Sequence, residues 1–136
     1  MPDGWTHVDL SAIEANPEKP GTRMPLSPEL GIEAFNLNVA ILDTGERLSE
    51  NQFHYHENQQ ELFLVVEGRC WVETREEGFE MGPDEAVSFA AGTVGAHVIH
   101  NPFEEPCKIV AIGWPQDGRY PVHQLSTVEE LLETRE

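Results

Sequence analysis

The stretch Gln52–Gly68, QFHYHENQQELFLVVEG, decides how the rest of this 136-residue chain is read. It places His54 and His56 two residues apart, follows them with Glu61, and ends an apolar run at Gly68. In an extended strand, residues i and i+2 point to one face, so the two imidazoles project together. Imidazole nitrogens and a carboxylate converging on one face suit a divalent transition metal. Alone, the pair is a weak signal, because in a chain with six histidines an H-x-H also arises by chance. Two exposed histidines at a strand end would explain it equally well.

Outward from that stretch the chain keeps a period of two. In Ile32–Leu42 (IEAFNLNVAIL), Phe35, Leu37, Val39 and Ile41 alternate with Ala34, Asn36, Asn38 and Ala40, the pattern of a half-buried strand. Further strands are expected at Arg69–Thr74, Phe79–Met81, Ala86–Phe89, Ala96–Asn101 and Cys107–Trp114. Turns fall at Glu67-Gly68, Arg75–Gly78, Gly82–Glu85 and Pro102–Pro106. Many short strands punctuated by Gly and Pro predict an all-β sandwich or barrel.

The two ends read differently. Residues 1–31 are rich in Pro and Gly and are expected as an arm packed on the core. At most they hold a short strand at Val8–Leu10 and a helical turn within Ser11–Asn16. Ser126-Thr127-Val128-Glu129 resembles a capping box, with Val128, Leu131 and Leu132 on one face, so a short helix is expected from about Thr127 to Arg135. Residues 32–115 then form the barrel and 116–136 a tail, all within one domain.

Composition narrows the function classes. With 39% hydrophobic residues the chain can build one core. No apolar run approaches the ~18 residues of a membrane helix. The opening MPDGWTHVDL lacks a basic region ahead of an apolar one, so no secretory signal is read and a cytoplasmic location is expected. Cys70 and Cys107 are accordingly expected as free thiols. Acidic residues outnumber basic ones 25 to 8, for a net charge of -17, and only Lys19 and Lys108 are lysines. Such a surface repels phosphate backbones and anionic lipids, which disfavours nucleic-acid and membrane partners. It also repels itself, a cost that concentrated salt screens, so a salt-adapted (halophilic) protein is expected.

A second histidine cluster lies some forty residues on, at His97-Val-Ile-His100-Asn101, after Gly82 and Gly92. By strand parity His97, Ile99 and Asn101 share a face, and His100 points the other way. With both clusters in view, the chain resembles the cupin superfamily. Its first motif is matched in spacing by His54, His56, Glu61 and Gly68, and its second by Gly82, Gly92, His97 and Asn101. The resemblance runs from about Phe35 to Trp114. Leu48 stands where the family has a glycine and Ala90 where it has a proline, and the loop Gly92–His97 is longer than usual.

That resemblance implies a double-stranded β-helix, or jelly-roll, barrel with one divalent metal at its mouth. His54, His56, Glu61 and His97 would be the ligands, and the ion one of Fe, Mn, Ni, Zn or Cu. Gln52 shares the parity of His54 and Phe63 that of Glu61, so both are expected to contact a bound substrate. Asn101 is expected there too, although a structural part at a strand end also fits it. His7, His123, Tyr55, Arg47 and Arg69 are read as surface residues. The function expected is a mononuclear metalloenzyme, dioxygenase- or isomerase-like, acting on a small polar molecule. The alternative is a non-catalytic ligand-binding or sensor module, since no general base stands clear of the ligand set. Leu62, Leu64 and Val66 form a second apolar face behind Phe63 and Val65, and it needs cover. The arm or the C-terminal helix could supply that cover. The resemblance favours a homodimer packed sheet against sheet.

Overall fold

Alternation becomes structure most directly in the strand Cys107–Trp114, where Cys107, Ile109, Ala111 and Gly113 are buried and the residues between them half-buried. In the computed structural model, which describes residues 4–17, 21–49, 53–118 and 120–124, this is the ninth of ten strands. In chain order they are β1 (Thr22–Pro25), β2 (Asn36–Leu42), β3 (His54–His56), β4 (Gln60–Glu67) and β5 (Cys70–Thr74). Then follow β6 (Gly78–Met81), β7 (Ala86–Phe89), β8 (His97–His100), β9 (Cys107–Trp114) and β10 (Val122–Gln124). They form two antiparallel five-stranded sheets, β1-β2-β9-β4-β7 and β10-β3-β8-β5-β6.

The inner faces of both sheets supply one core. Leu42, Val65 and Ile109 from the first sheet meet Val72, Met81 and Ile99 from the second, each at most 2% exposed. Burying both faces against one another removes apolar surface that neither sheet could hide alone. The result is the expected all-β jelly roll. Gly68 turns β4 into β5 at φ 77°, and a Cβ there would lie 2.1 Å from the Pro106 carbonyl oxygen. Only glycine permits that close approach. Cys70 and Cys107 are unbridged and fully buried. A hydrogen bond with Cys107, and then burial, push the Cys70 thiol far above its ordinary range.

Within the stretch 1–31, the structure forms β1, a single helical turn α1 (Ser27–Leu30), and a 3-10 turn at Leu10–Ala12. That 3-10 turn replaces the strand expected at Val8–Leu10, because the Asp9 carboxylate accepts from the Ser11 amide and caps the turn. Leu10 and Ile13 then face Met24 and Ile41 across the outside of the first sheet. The helix expected from Thr127 to Arg135 lies outside the described residues. Among the described residues no helix is long and apolar enough to cross a membrane.

Candidate metal centre

β3 is only three residues long, yet it carries the period of two that its sequence implies. His54 and His56 are buried, at 5% and 7% exposure, while Tyr55 faces the other way against the His123 ring. His97 opens β8 directly opposite His54 in register. Glu61 comes from the other sheet, where it pairs with Phe89 of β7 and Gly113 of β9. Three imidazoles from one layer therefore face a carboxylate from the other.

The ligand atoms of three of these residues converge, and the fourth residue, His97, approaches the set through Glu61. Those of His54, His56 and Glu61 lie within 4.8 Å of one another. His56 Nε2 is 3.5 Å from Glu61 Oε2, and His97 Nε2 is 3.3 Å from Glu61 Oε1. The His54 ring lies 5.4 Å from His56 and 4.9 Å from His97, centroid to centroid. His100 is turned away, beside Arg47 and Glu73, as its parity predicts.

The surroundings set the chemistry of these groups. His97 Nδ1 is 2.8 Å from the Gly95 carbonyl oxygen. A carbonyl only accepts, so Nδ1 carries the hydrogen, and the neutral ring turns its Nε2 lone pair toward Glu61. Burial pushes His97 below the usual histidine range, against the pull of Glu61 and Gly95. Burial also opposes ionisation of Glu61, but the hydrogen bond with His56 and the fields of His97, His56 and His54 hold it down to about 2. A lone pair and a carboxylate oxygen thus face each other at 3.3 Å, an arrangement that a cation between them relieves. Three imidazoles and one carboxylate fit a divalent transition metal.

Sequence reasoning missed two residues here, Phe89 beside the set and Gln59 in the cavity wall. The Phe89 ring lies flat on His97, with centroids 3.8 Å apart and planes 8° apart. Gln59 is buried against Gly113 and donates to the Pro115 carbonyl at 3.0 Å. A Cβ on Gly113 would sit 2.7 Å from that amide, so the glycine makes room for it. Phe89 could have been found by pairing β7 with β4, which sets it opposite Glu61.

The four residues open into a cavity of about 60 Å³. Phe63 lines it, together with Arg23, Asn38, Ser49, Gln59 and Ile99. Gln52 lies outside the described residues. Asn101 is not among the residues that line the cavity, and its side chain holds the β8–β9 loop, the structural part that its place at a strand end also fits. Its Nδ2 donates to the Leu42 and Glu105 carbonyls, both at 2.8 Å, and its Oδ1 accepts from the Phe103 amide at 2.8 Å. His123 sits in a half-exposed pair with Glu57 at 3.0 Å, and His7 is exposed, both away from the site.

Comparison with known proteins adds the family. No curated protein matches the chain. Among solved structures, a sugar phosphate isomerase of the cupin superfamily from Silicibacter pomeroyi aligns with a TM-score of 0.74 at 22% identity, covering 89% of this chain and 82% of that one. The polyketide cyclase RemF from Streptomyces resistomycificus aligns at 0.73 and 21%, covering 94% and 90%. A candidate sugar phosphate isomerase from Acidithiobacillus ferrooxidans aligns at 0.63 and 21%, covering 71% of this chain, which spans 62% of its length. At these identities the likeness is one of fold. Residues 39–113, more than half of the sequence and the span that holds His54, His56, Glu61 and His97, match the cupin domain model, and the chain belongs to the cupin family.

Proposed function

We propose that His54, His56, Glu61 and His97 hold one divalent transition metal, and that the chain is a mononuclear metalloenzyme acting on a small polar molecule. The observation that carries this reading is the His97 Nε2–Glu61 Oε1 approach of 3.3 Å, with Nδ1 already committed to Gly95. Bound there, Fe, Mn, Ni, Zn or Cu would supply a Lewis acid able to polarise a substrate oxygen. The chain's own residues do the rest. Glu61 lowers the charge of the site by one, Phe89 and Gly95 fix the His97 ring, and Phe63 and Ile99 keep that side of the cavity apolar. A volume of about 60 Å³ admits a molecule of only a few non-hydrogen atoms, given that about 10–15 Å³ admits one water. Dioxygenase- and isomerase-like reactions both fit a small ligand in such a site.

Elemental analysis of untagged protein tests the ligand set. One metal ion per chain is expected, lost in His54→Ala and Glu61→Gln while the circular dichroism of the fold persists. Metal-free wild-type protein at saturating Fe, Mn, Ni, Zn and Cu would overturn the reading.

One observation favours the alternative, a non-catalytic ligand-binding module. Glu61 is the single carboxylate among the described cavity residues, and it belongs to the ligand set, which leaves no separate general base. An enzyme shows turnover that His54→Ala abolishes. A binding module instead shows ligand-dependent stabilisation without turnover.

A further inference from the structure

Arg23 stands out once the charges of the cavity are counted. It lies on β1, where residues alternate between the outside of the sheet and its interior. Met24 faces outward with Leu10, Ile13 and Ile41, so its neighbour Arg23 faces in. There Nη2 donates to the Leu48 carbonyl at 2.7 Å, which anchors the guanidinium in the cavity wall. Register places Arg23 opposite Ala40, and Asn38 opposite Pro25, so Arg23 and Asn38 are diagonal neighbours on the same inner face. With Ser49 they make one polar side of the cavity whose other polar side is the His54–His56–Glu61–His97 cluster.

The charge balance follows. Among the described lining residues Arg23 is the single cation and Glu61 the single anion. A divalent ion at the ligand set would bring the described lining residues to a formal +2, inside a chain of net charge -17. A net positive charge on a cavity wall favours an anionic occupant over a neutral one of the same shape. The planar fork of a guanidinium matches a carboxylate better than a point charge does. A cavity of about 60 Å³ suits a ligand of a few non-hydrogen atoms.

We propose that Arg23 is the specificity-determining residue of the cavity, and that the occupant is a small organic carboxylate held between the Arg23 guanidinium and the metal-ligand cluster. This rests on the metal reading above for the far end of the ligand, but the Arg23 end stands without it. Asn38 and Ser49 offer amide and hydroxyl groups to the carbon skeleton between.

The test titrates acetate, lactate, pyruvate and malonate, their neutral amides, and inorganic phosphate into the wild-type protein. Each titration is run with metal loaded and again after chelation, with metal content measured separately. At least one carboxylate is expected to bind at least tenfold more tightly than its amide. Arg23→Gln should remove that preference while leaving metal content unchanged, and Arg23→Lys should keep part of it. Loss of metal from the wild type would sink the metal reading alone, because the carboxylate preference of the chelated protein still reports on Arg23. Equal binding of carboxylates and amides, binding of phosphate with no carboxylate bound, or an Arg23→Gln protein that binds carboxylate like the wild type would each overturn the proposal. Should Arg23→Gln not fold, Arg23→Lys and the wild-type comparison of each acid with its amide still decide it.

Discussion

The rings of Phe89 and His97 lie parallel, 3.8 Å between centroids, so the last residue of β7 in one sheet clamps the first residue of β8 in the other. Together with the Gly95 carbonyl on Nδ1, this leaves the His97 ring little freedom about either torsion. A ligand oriented in advance loses less entropy on binding metal. Phe89→Leu keeps most of the apolar volume but loses the flat contact, and is expected to weaken metal affinity by about tenfold. Isothermal titration of the apo protein with Zn or Mn reads the effect. Unchanged affinity would mean that Phe89 serves packing alone.

Gly68 tests the backbone in a different way. At φ 77° a side chain costs about 1–3 kcal/mol, and at Gly68 it would also run into the Pro106 carbonyl at 2.1 Å. Gly45 has a similar φ of 87° with nothing within 4 Å of its would-be Cβ. Gly45→Ala should therefore show the conformational cost alone, and Gly68→Ala that cost plus the steric one. Urea denaturation of the pair measures the difference. Equal destabilisation would show that the β9 entry can move aside.

His100 gives the fold a pH dependence separate from the site. Burial pushes its pKa below the ordinary 6.5, against the pull of Glu73, and Arg47 adds to the depression. Above about 6.5 the ring is neutral in both folded and unfolded chains, and the full stability is present. Below that the unfolded chain takes up a proton that the folded chain resists, so stability falls as pH falls towards the folded pKa. His100→Gln removes this proton uptake and should flatten the decline of the urea midpoint between pH 7 and pH 5. An identical slope in wild type and variant would refute the assignment.

How far the sequence was legible depends on the scale of the signal. β7 and β9 were found at Ala86–Phe89 and Cys107–Trp114 because alternation and flanking turns bound them on both sides. β1 was not, because Thr-Arg-Met-Pro is four residues long, lies among prolines, and pairs only along one edge. Pro25 tolerates that position since an edge strand need not donate on its outer side. β10 has three residues and no periodicity to read. The H-x-H pair was legible since β3 obeys a period of two, whereas for Asn101, one residue past the end of β8, parity alone left a site role and a structural one equally open. Arg23 had no local pattern at all: its place in the cavity comes from β1 lying against β2.

The outer face of the first sheet bears on assembly. Leu62 and Leu64 are half-buried there and Val66 is 41% exposed, while among the described residues Leu10 and Ile13 lie over the β1–β2 side. A second copy of the chain packed sheet against sheet would cover Leu62, Leu64 and Val66 at once. A dimer mass is expected from light scattering, reduced towards monomer by Leu64→Glu. A monomer mass for the wild type at all salt concentrations would exclude this assembly.

Salt should tune both stability and assembly through the same charge. With net charge -17, acidic residues outnumber basic ones about three to one, and an exposed pair such as Arg69–Glu80 at 3.3 Å offsets little of their mutual repulsion. At about 0.01 M salt the Debye length is about 30 Å and every charge on the chain feels the others, whereas at about 1 M it shrinks to about 3 Å. The melting temperature is therefore expected to rise steadily with NaCl up to molar concentrations, and dimer dissociation to weaken over the same range. Screening alone acts equally for NaCl and KCl and levels off once the Debye length falls below the spacing of surface charges. Neutralising Glu76 and Glu77, adjacent acids in the exposed β5–β6 turn, should raise the low-salt melting temperature and leave the high-salt value nearly unchanged. A wild-type melting curve indifferent to NaCl would show that the acidic surface is not a cost the fold has to bear.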